Sequence, residues 1–151
     1  MAASKYTPDV PMKLKIKKLH PDALLPAYAH PGDAGMDVYA LETVIIKPQE
    51  RTSVSTGIAM EIPHGCVGLV WDKSGLSRNH GLKMLGGVID AGYRGEVLIS
   101  VINLSAEPYT VEKGHKIGQM IIHEIPQIEI EEATELSGSA RGQGRFGSTG
   151  K

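Results

Sequence analysis

Three stretches of the chain group residues that can handle an anion. Asp72-Lys73-Ser74-Gly75-Leu76-Ser77 follows an apolar run ending at Trp71 and combines a charge pair, a hydroxyl and a pliant backbone. An ammonium, a hydroxyl and exposed amides in that order can hold phosphate oxygens, and a plain solvated turn has the same composition. In Gly86-Gly87-Val88-Ile89-Asp90-Ala91-Gly92-Tyr93-Arg94-Gly95, a carboxylate follows an apolar pair. Asp90 reads either as a partly desolvated general base or as an ordinary Asx-turn residue. Tyr93 can offer its face to a ring or sugar, or pack on the core. The third stretch, RGQGRFGSTGK from Arg141 to Lys151, has four glycines, three basic residues and the only phenylalanine. It is either a loose end or an arm that folds over an anionic ligand.

Other chemistries find no support. The tail falls short of a phosphate-binding G-x-x-x-x-G-K-[ST] loop because Arg145 stands where the first glycine belongs. The six histidines (His20, His30, His64, His80, His115, His123) show no metal-ligand spacing, and His123-Glu124 is not followed by a second histidine at the zinc-protease interval. A G-x-S-x-G elbow and a C-x-x-C pair are both missing. Cys66, the single cysteine, lies in the apolar run CVGLVW and reads as a buried core thiol in a reducing compartment.

The elements that must position these residues are strands. Met12-Lys13-Leu14-Lys15-Ile16-Lys17 alternates apolar and basic residues, the period of a half-buried strand. β-type runs recur at Val38 to Ile46, Thr52 to Ile62, Cys66 to Trp71, Val97 to Leu104 and Ile117 to Ile125, separated by turns such as HPGDAG and IPHGC. GGVIDAGYRG predicts two strands joined by a tight turn. The only helix expected is a turn or two around Gly75 to Asn79. With 18 glycines and 9 prolines in 151 residues, the expected fold is all-β, a jelly-roll-like barrel or sandwich. The expected division is a flexible N-terminus over 1–11, one β domain over 12–136 and a flexible glycine-rich C-terminal arm over 137–151.

A formal net charge of -1 gives no global electrostatic case for nucleic acid, and the longest apolar stretches are too short to span a bilayer. The opening residues have no apolar run of the secretory kind, so the expectation is an intracellular, cytoplasmic protein without nucleic-acid or membrane partners, nucleus and organelle remaining open. The sequon at Asn103-Leu104-Ser105 is then a chance match.

Five motifs in order carry a family resemblance: Ala34-Gly35-Met36-Asp37-Val38, Lys73-Ser74-Gly75-Leu76, Gly87 to Glu96, Gly118-Gln119-Met120-Ile121 and Arg141 to Gly150. From about Met12 onward the chain resembles the trimeric deoxyuridine triphosphate nucleotidohydrolases, the dUTPases. The resemblance implies a jelly-roll homotrimer with three active sites at subunit interfaces. It implies hydrolysis of dUTP to dUMP and pyrophosphate, with Mg2+ on the triphosphate. Asp90 would orient and deprotonate the water that attacks the α-phosphorus. Tyr93 would pack on deoxyribose, excluding a 2′-hydroxyl, and the hairpin of Gly87, Val88, Ile89 and Leu98 would read uracil through its backbone. Lys73, Ser74, Gly75 and Gln119 would hold phosphates, and Asp37 would act on the metal from its outer shell through water. From the arm, Phe146 would stack on uracil, while Arg141, Gly147, Ser148 and Thr149 would close on the triphosphate of a neighbouring subunit's site.

The chain departs from the family pattern at Lys73, usually arginine; at Arg145, usually glycine; and at Gly118, usually alanine. Two alternatives stand beside this reading. One is a regulatory module that uses the same fold to bind a protein. The other is the related dCTP deaminase, whose catalytic glutamate would fall at Ser100, with Glu96 lying too early to replace it.

Overall fold

The computed structural model describes residues 12–143 and 145. Ten strands and one short helix follow in order: β1 (Lys15–Lys18), β2 (Met36–Tyr39), β3 (Val44–Ile46), β4 (Arg51–Glu61), β5 (Cys66–Trp71), α1 (Ser74–His80), β6 (Leu82–Leu85), β7 (Val88–Asp90), β8 (Glu96–Asn103), β9 (Tyr109–Val111) and β10 (Lys116–Glu124). They form two four-stranded antiparallel sheets, β1-β4-β8-β6 and β2-β10-β5-β7, and a two-stranded ribbon, β3-β9. One core joins all three. Val54, Ile58, Leu82, Val97, Ile99 and Val101 enter it from the first sheet, Val38, Ile117 and Met120 from the second, and Ile46 and Val111 from the ribbon. Stacked antiparallel sheets sharing one core are the jelly-roll sandwich expected from the short strands and glycine-rich turns.

Side-chain alternation explains which faces go inward. Along β8, Val97, Ile99, Val101 and Asn103 are buried, while Leu98 points outward and is half exposed. Asn103 is fully buried, donating through Nδ2 to the carbonyls of Ile46 (3.0 Å) and Glu107 (2.8 Å). A side chain so engaged is no glycan acceptor. Cys66 is buried in the core, as expected, and all six histidines are exposed.

The apolar run from Val38 to Ile46 is not one strand. It divides into β2 and β3 because the first half pairs with β10 and the second with β9, so the chain must leave one sheet between them. Strands β6 and β9, too short to carry a period-2 signal, were not expected. Helix α1 falls where a helical turn was expected and stops at Gly81, whose left-handed φ of 67° lets its N–H reach the Ser77 carbonyl. Beyond Glu124 no described residue belongs to a strand or helix.

Candidate active site

The β7–β8 hairpin builds a cavity of about 240 Å3. It hangs on β5 through the pairs Val67↔Asp90, Gly68↔Ile89 and Leu69↔Val88, and through the Val70 N–H donating to the Gly87 carbonyl at 2.7 Å. Gly87 takes a φ of 74°, and a Cβ there would stand 2.8 Å from the Val70 carbonyl oxygen, so only glycine fits this close approach. The turn is closed by the Tyr93 N–H on the Asp90 carbonyl (3.0 Å) and clasped by Arg94, whose Nη1 donates to the carbonyls of Ala91 (2.6 Å) and Tyr93 (2.8 Å). Tyr93 Oη donates to the Glu96 carbonyl at 3.0 Å, laying the ring across Gly95. Glu96 anchors the returning strand. Its Oε1 accepts from the Ser55 hydroxyl and from the Gly57 N–H (2.8 Å), which fills the register shift in β4 between Ser55 and Ala59.

Gly87, Val88, Ile89, Asp90, Tyr93 and Leu98 all line this one cavity. Asp90 is exposed at the cavity mouth, where the apolar neighbours Val88 and Leu98 are themselves half or more exposed in the single chain. Any desolvation of this carboxylate must come from what covers the cavity.

A second cluster surrounds the start of α1. Lys73 is its N-cap in extended conformation, and no side chain caps the first turn, leaving the geometry of open N–H groups at exposed Ser74 and Gly75. Asp72 locks the preceding loop: its Oδ1 accepts from the Met84 N–H (2.7 Å) and its Oδ2 from Lys83 (2.6 Å). Gln119, on β10, donates through Nε2 to the Asp72 carbonyl at 2.8 Å. A Cβ at position 35 would lie 2.7 Å from Gln119 Oε1, so Gly35 clears the space this side chain occupies.

At the centre lies Asp37, whose carboxylate is only 4% exposed. Lys73 Nζ donates to Oδ1 at 2.5 Å, and Lys116 Nζ faces Oδ2 at 2.6 Å as an ion pair, off the line of a directed hydrogen bond. Burial pushes the Asp37 carboxyl up, but the contacts with Lys116 and Lys73 outweigh it and hold it below the ordinary carboxylate value. Asp37 in turn holds Lys116 above the ordinary lysine value. Lys116 lies in none of the quoted stretches, and Asp72 and Glu96, though inside them, were given no individual site role.

None of Lys73, Ser74, Gly75, Gln119 or Asp37 lines the hairpin cavity. In the single chain the hairpin cavity and the cluster around Asp37 are therefore separate groups of residues. Arg141 is exposed. Phe146, Gly147, Ser148 and Thr149 lie outside the described residues. Ser100, where a deaminase would need its glutamate, meets Ser53 hydroxyl to hydroxyl at 3.3 Å, and the Glu96 carboxylate is already held on β4.

A jelly roll that presents a glycine-lined hairpin cavity and a separate cationic helix start is the scaffold of a nucleotide-handling protein. Comparison with known proteins narrows the class. The family model described as dUTPase matches residues 22–150, and the chain belongs to the dUTPase family. The deoxyuridine 5′-triphosphate nucleotidohydrolase of Clostridium kluyveri is 47% identical over 141 residues, covering 92% of this chain and 99% of that protein. That of Clostridioides difficile is 50% identical over 139 residues, covering 91% and 97%. Among solved structures, a Staphylococcus bacteriophage 80alpha dUTPase mutant with dUpNHpp superposes with a TM-score of 0.87 at 33% identity, covering 92% of this chain and 99% of that one. A mutant dUTPase of S. aureus phage phi11, described as revealing the coordination of a structural Mg(II) ion, gives a TM-score of 0.77 at 30% identity, covering 82% and 98%.

Proposed function

We propose that the chain hydrolyses dUTP to dUMP and pyrophosphate, at sites completed between copies of itself. The observation that carries this reading is the cavity of the β7–β8 hairpin, lined by Gly87, Val88, Ile89, Asp90, Tyr93 and Leu98, with none of Lys73, Ser74, Gly75, Gln119 or Asp37 in its lining. Within the cavity the hairpin main chain offers donors and acceptors to uracil, and cytosine's reversed edge would leave some of them unpaired. Tyr93, fixed by its bond to the Glu96 carbonyl, covers the sugar position and leaves no room for a 2′-hydroxyl. Asp90 takes a proton from a water molecule as that water attacks the α-phosphorus. The bond from the α-phosphorus to the bridging oxygen breaks, and pyrophosphate leaves.

Lys73, Ser74, the Gly75 amide and Gln119 hold phosphate oxygens of a nucleotide whose base sits on another copy's hairpin. We take the assembly to be a homotrimer with shared sites, as the family resemblance implies. It also gives cover to Val88 (68% exposed) and Leu98, and to Ile128, Ile130 and Leu136 beyond the last strand. The arm over 137–151 supplies the closing groups Arg141, Phe146, Gly147, Ser148 and Thr149.

The residues present suit a hydrated Mg2+ held mainly by phosphates. Among the described residues no three carboxylate, histidine or cysteine side chains stand together as a cage. Asp37 is the carboxylate at the phosphate cluster, with both oxygens already facing lysines, so it reaches such an ion only through water. When bound, Mg2+ neutralises triphosphate charge. Among the described residues no helix is long and apolar enough to cross a membrane. A cytoplasmic location is part of the proposal and rests on the soluble metabolic family to which the chain belongs.

The test is to incubate pure protein with dUTP, dCTP, dTTP and UTP plus Mg2+ and to assay pyrophosphate. Release from dUTP alone is expected. Silence with all four would favour a protein-binding module, and ammonia from dCTP a deaminase.

A further inference from the structure

Lys116 belongs to none of the motifs, yet it supplies half of the charge around Asp37. Its position depends on an irregularity in β10. Gln119 pairs with Asp37 and Gly118 with Val38, so regular pairing would set residue 117 opposite Tyr39. Instead Lys116 stands opposite Tyr39, the register having shifted by one residue between Lys116 and Gly118. The extra residue, Ile117, is fully buried in the core. In a regular strand, residues three apart point to opposite faces. Here the bulge turns Lys116 onto the face of Gln119 and Asp37, the kind of re-aiming that bulges perform beside functional sites.

The consequence concerns Lys73. An ammonium is a compact point charge, whereas an arginine fork can grip a carboxylate and a phosphate together. With Nζ held 2.5 Å from Asp37 Oδ1, Lys73 must turn partly away from Asp37 to reach a phosphate oxygen. Were Lys73 the only cation there, this would strand a nearly buried carboxylate without a counter-ion, which is strongly unfavourable. Lys116 Nζ, 2.6 Å from Oδ2, removes that obstacle. It keeps Asp37 charged and in place while Lys73 turns to the substrate.

We infer that Lys116 is a positioning residue for triphosphate binding: it acts as the resident counter-ion of Asp37 and thereby frees Lys73 for the phosphates. This rests on the proposed phosphate role of Lys73. Lys116 acts through Asp37 and not by touching substrate. Its side chain is half exposed at the end of a strand, so polar replacements leave the fold intact.

The experiment first measures dUTP hydrolysis by the unaltered chain, which tests the proposed function by itself. It then compares Lys116→Gln, Lys116→Arg, Asp37→Asn and the double variant Asp37→Asn/Lys116→Gln, each checked for fold by circular dichroism and thermal melting. Lys116→Gln should raise KM for dUTP by about tenfold or more while kcat stays within about threefold, and Lys116→Arg should restore KM. Because Lys116 works through the Asp37 charge, the double variant should match Asp37→Asn alone. An unchanged KM in Lys116→Gln overturns the inference. So does a double variant whose losses simply add, since Lys116 would then contact the phosphates directly. Either result leaves the measured activity of the unaltered chain, and with it the proposed function, standing.

Discussion

Asp90 ends a three-residue strand and projects from the mouth of a cavity, where the Tyr93 N–H fixes its main chain. A general base of this kind contributes about 10²- to 10⁴-fold to rate. Asp90→Asn is therefore expected to lower kcat by that order while dUTP affinity, measured by equilibrium titration, changes little; normal turnover would remove Asp90 from the role of base. Asp37 behaves differently. Its carboxyl is held below the ordinary value of 3.8, so it stabilises the fold at every pH above that value, and the contribution disappears as pH falls through its lowered value. Acid unfolding followed by circular dichroism should show Asp37→Asn closest to the unaltered chain in the most acidic range and less stable at neutral pH.

At the scale of elements, the β7–β8 hairpin is held from both sides: Val70 pairs with Gly87 on one flank, and Glu96 grips the bulge of β4 on the other. Glu96→Ala removes an acceptor from a Gly57 N–H at a partly buried position and should destabilise the fold by about 1–3 kcal/mol, read from thermal or denaturant melts. Gly95 bears on the proposed exclusion of a 2′-hydroxyl. A Cβ there would overlap the Tyr93 ring, so Gly95→Ala should swing the ring off the sugar position. The expected result is a fall of about tenfold in discrimination between dUTP and UTP, measured as the ratio of kcat/KM; an unchanged ratio would mean that Tyr93 does not guard the 2′ position.

For the whole molecule, the proposed function rests on a hairpin cavity whose lining holds none of Lys73, Ser74, Gly75, Gln119 or Asp37, so the proposed base-reading and phosphate-holding groups are tested as parts of different subunits. Sedimentation should show a trimer, and mixing Asp90→Asn chains with Lys73→Met chains should restore hydrolysis in mixed oligomers, where one intact site can assemble from two damaged partners. No recovery on mixing would place both groups in one subunit's site. Deleting residues 142–151 should leave the oligomer folded and melting normally while hydrolysis drops by at least about 10²-fold, as expected for loss of closing groups.

Much of this was written in the order of residues. The alternation in Val97 to Leu104 determined the buried and exposed faces of β8, and Gly87 in GGVIDAGYRG marked where the hairpin passes too close to the Val70 carbonyl for a Cβ. The motif residues of that hairpin were legible because local chemistry and turn geometry lie within a few positions of one another. Tertiary structure alone decided three things. It exposed Asp90, because burial depends on distant neighbours. It kept Asp37, Lys73 and Gln119 out of the hairpin cavity's lining, because which side chains share a cavity depends on how distant strands pack. It placed Lys116 on Asp37, because a one-residue bulge reverses the face that strand periodicity assigns, and nothing in the local sequence marks where a ladder will slip.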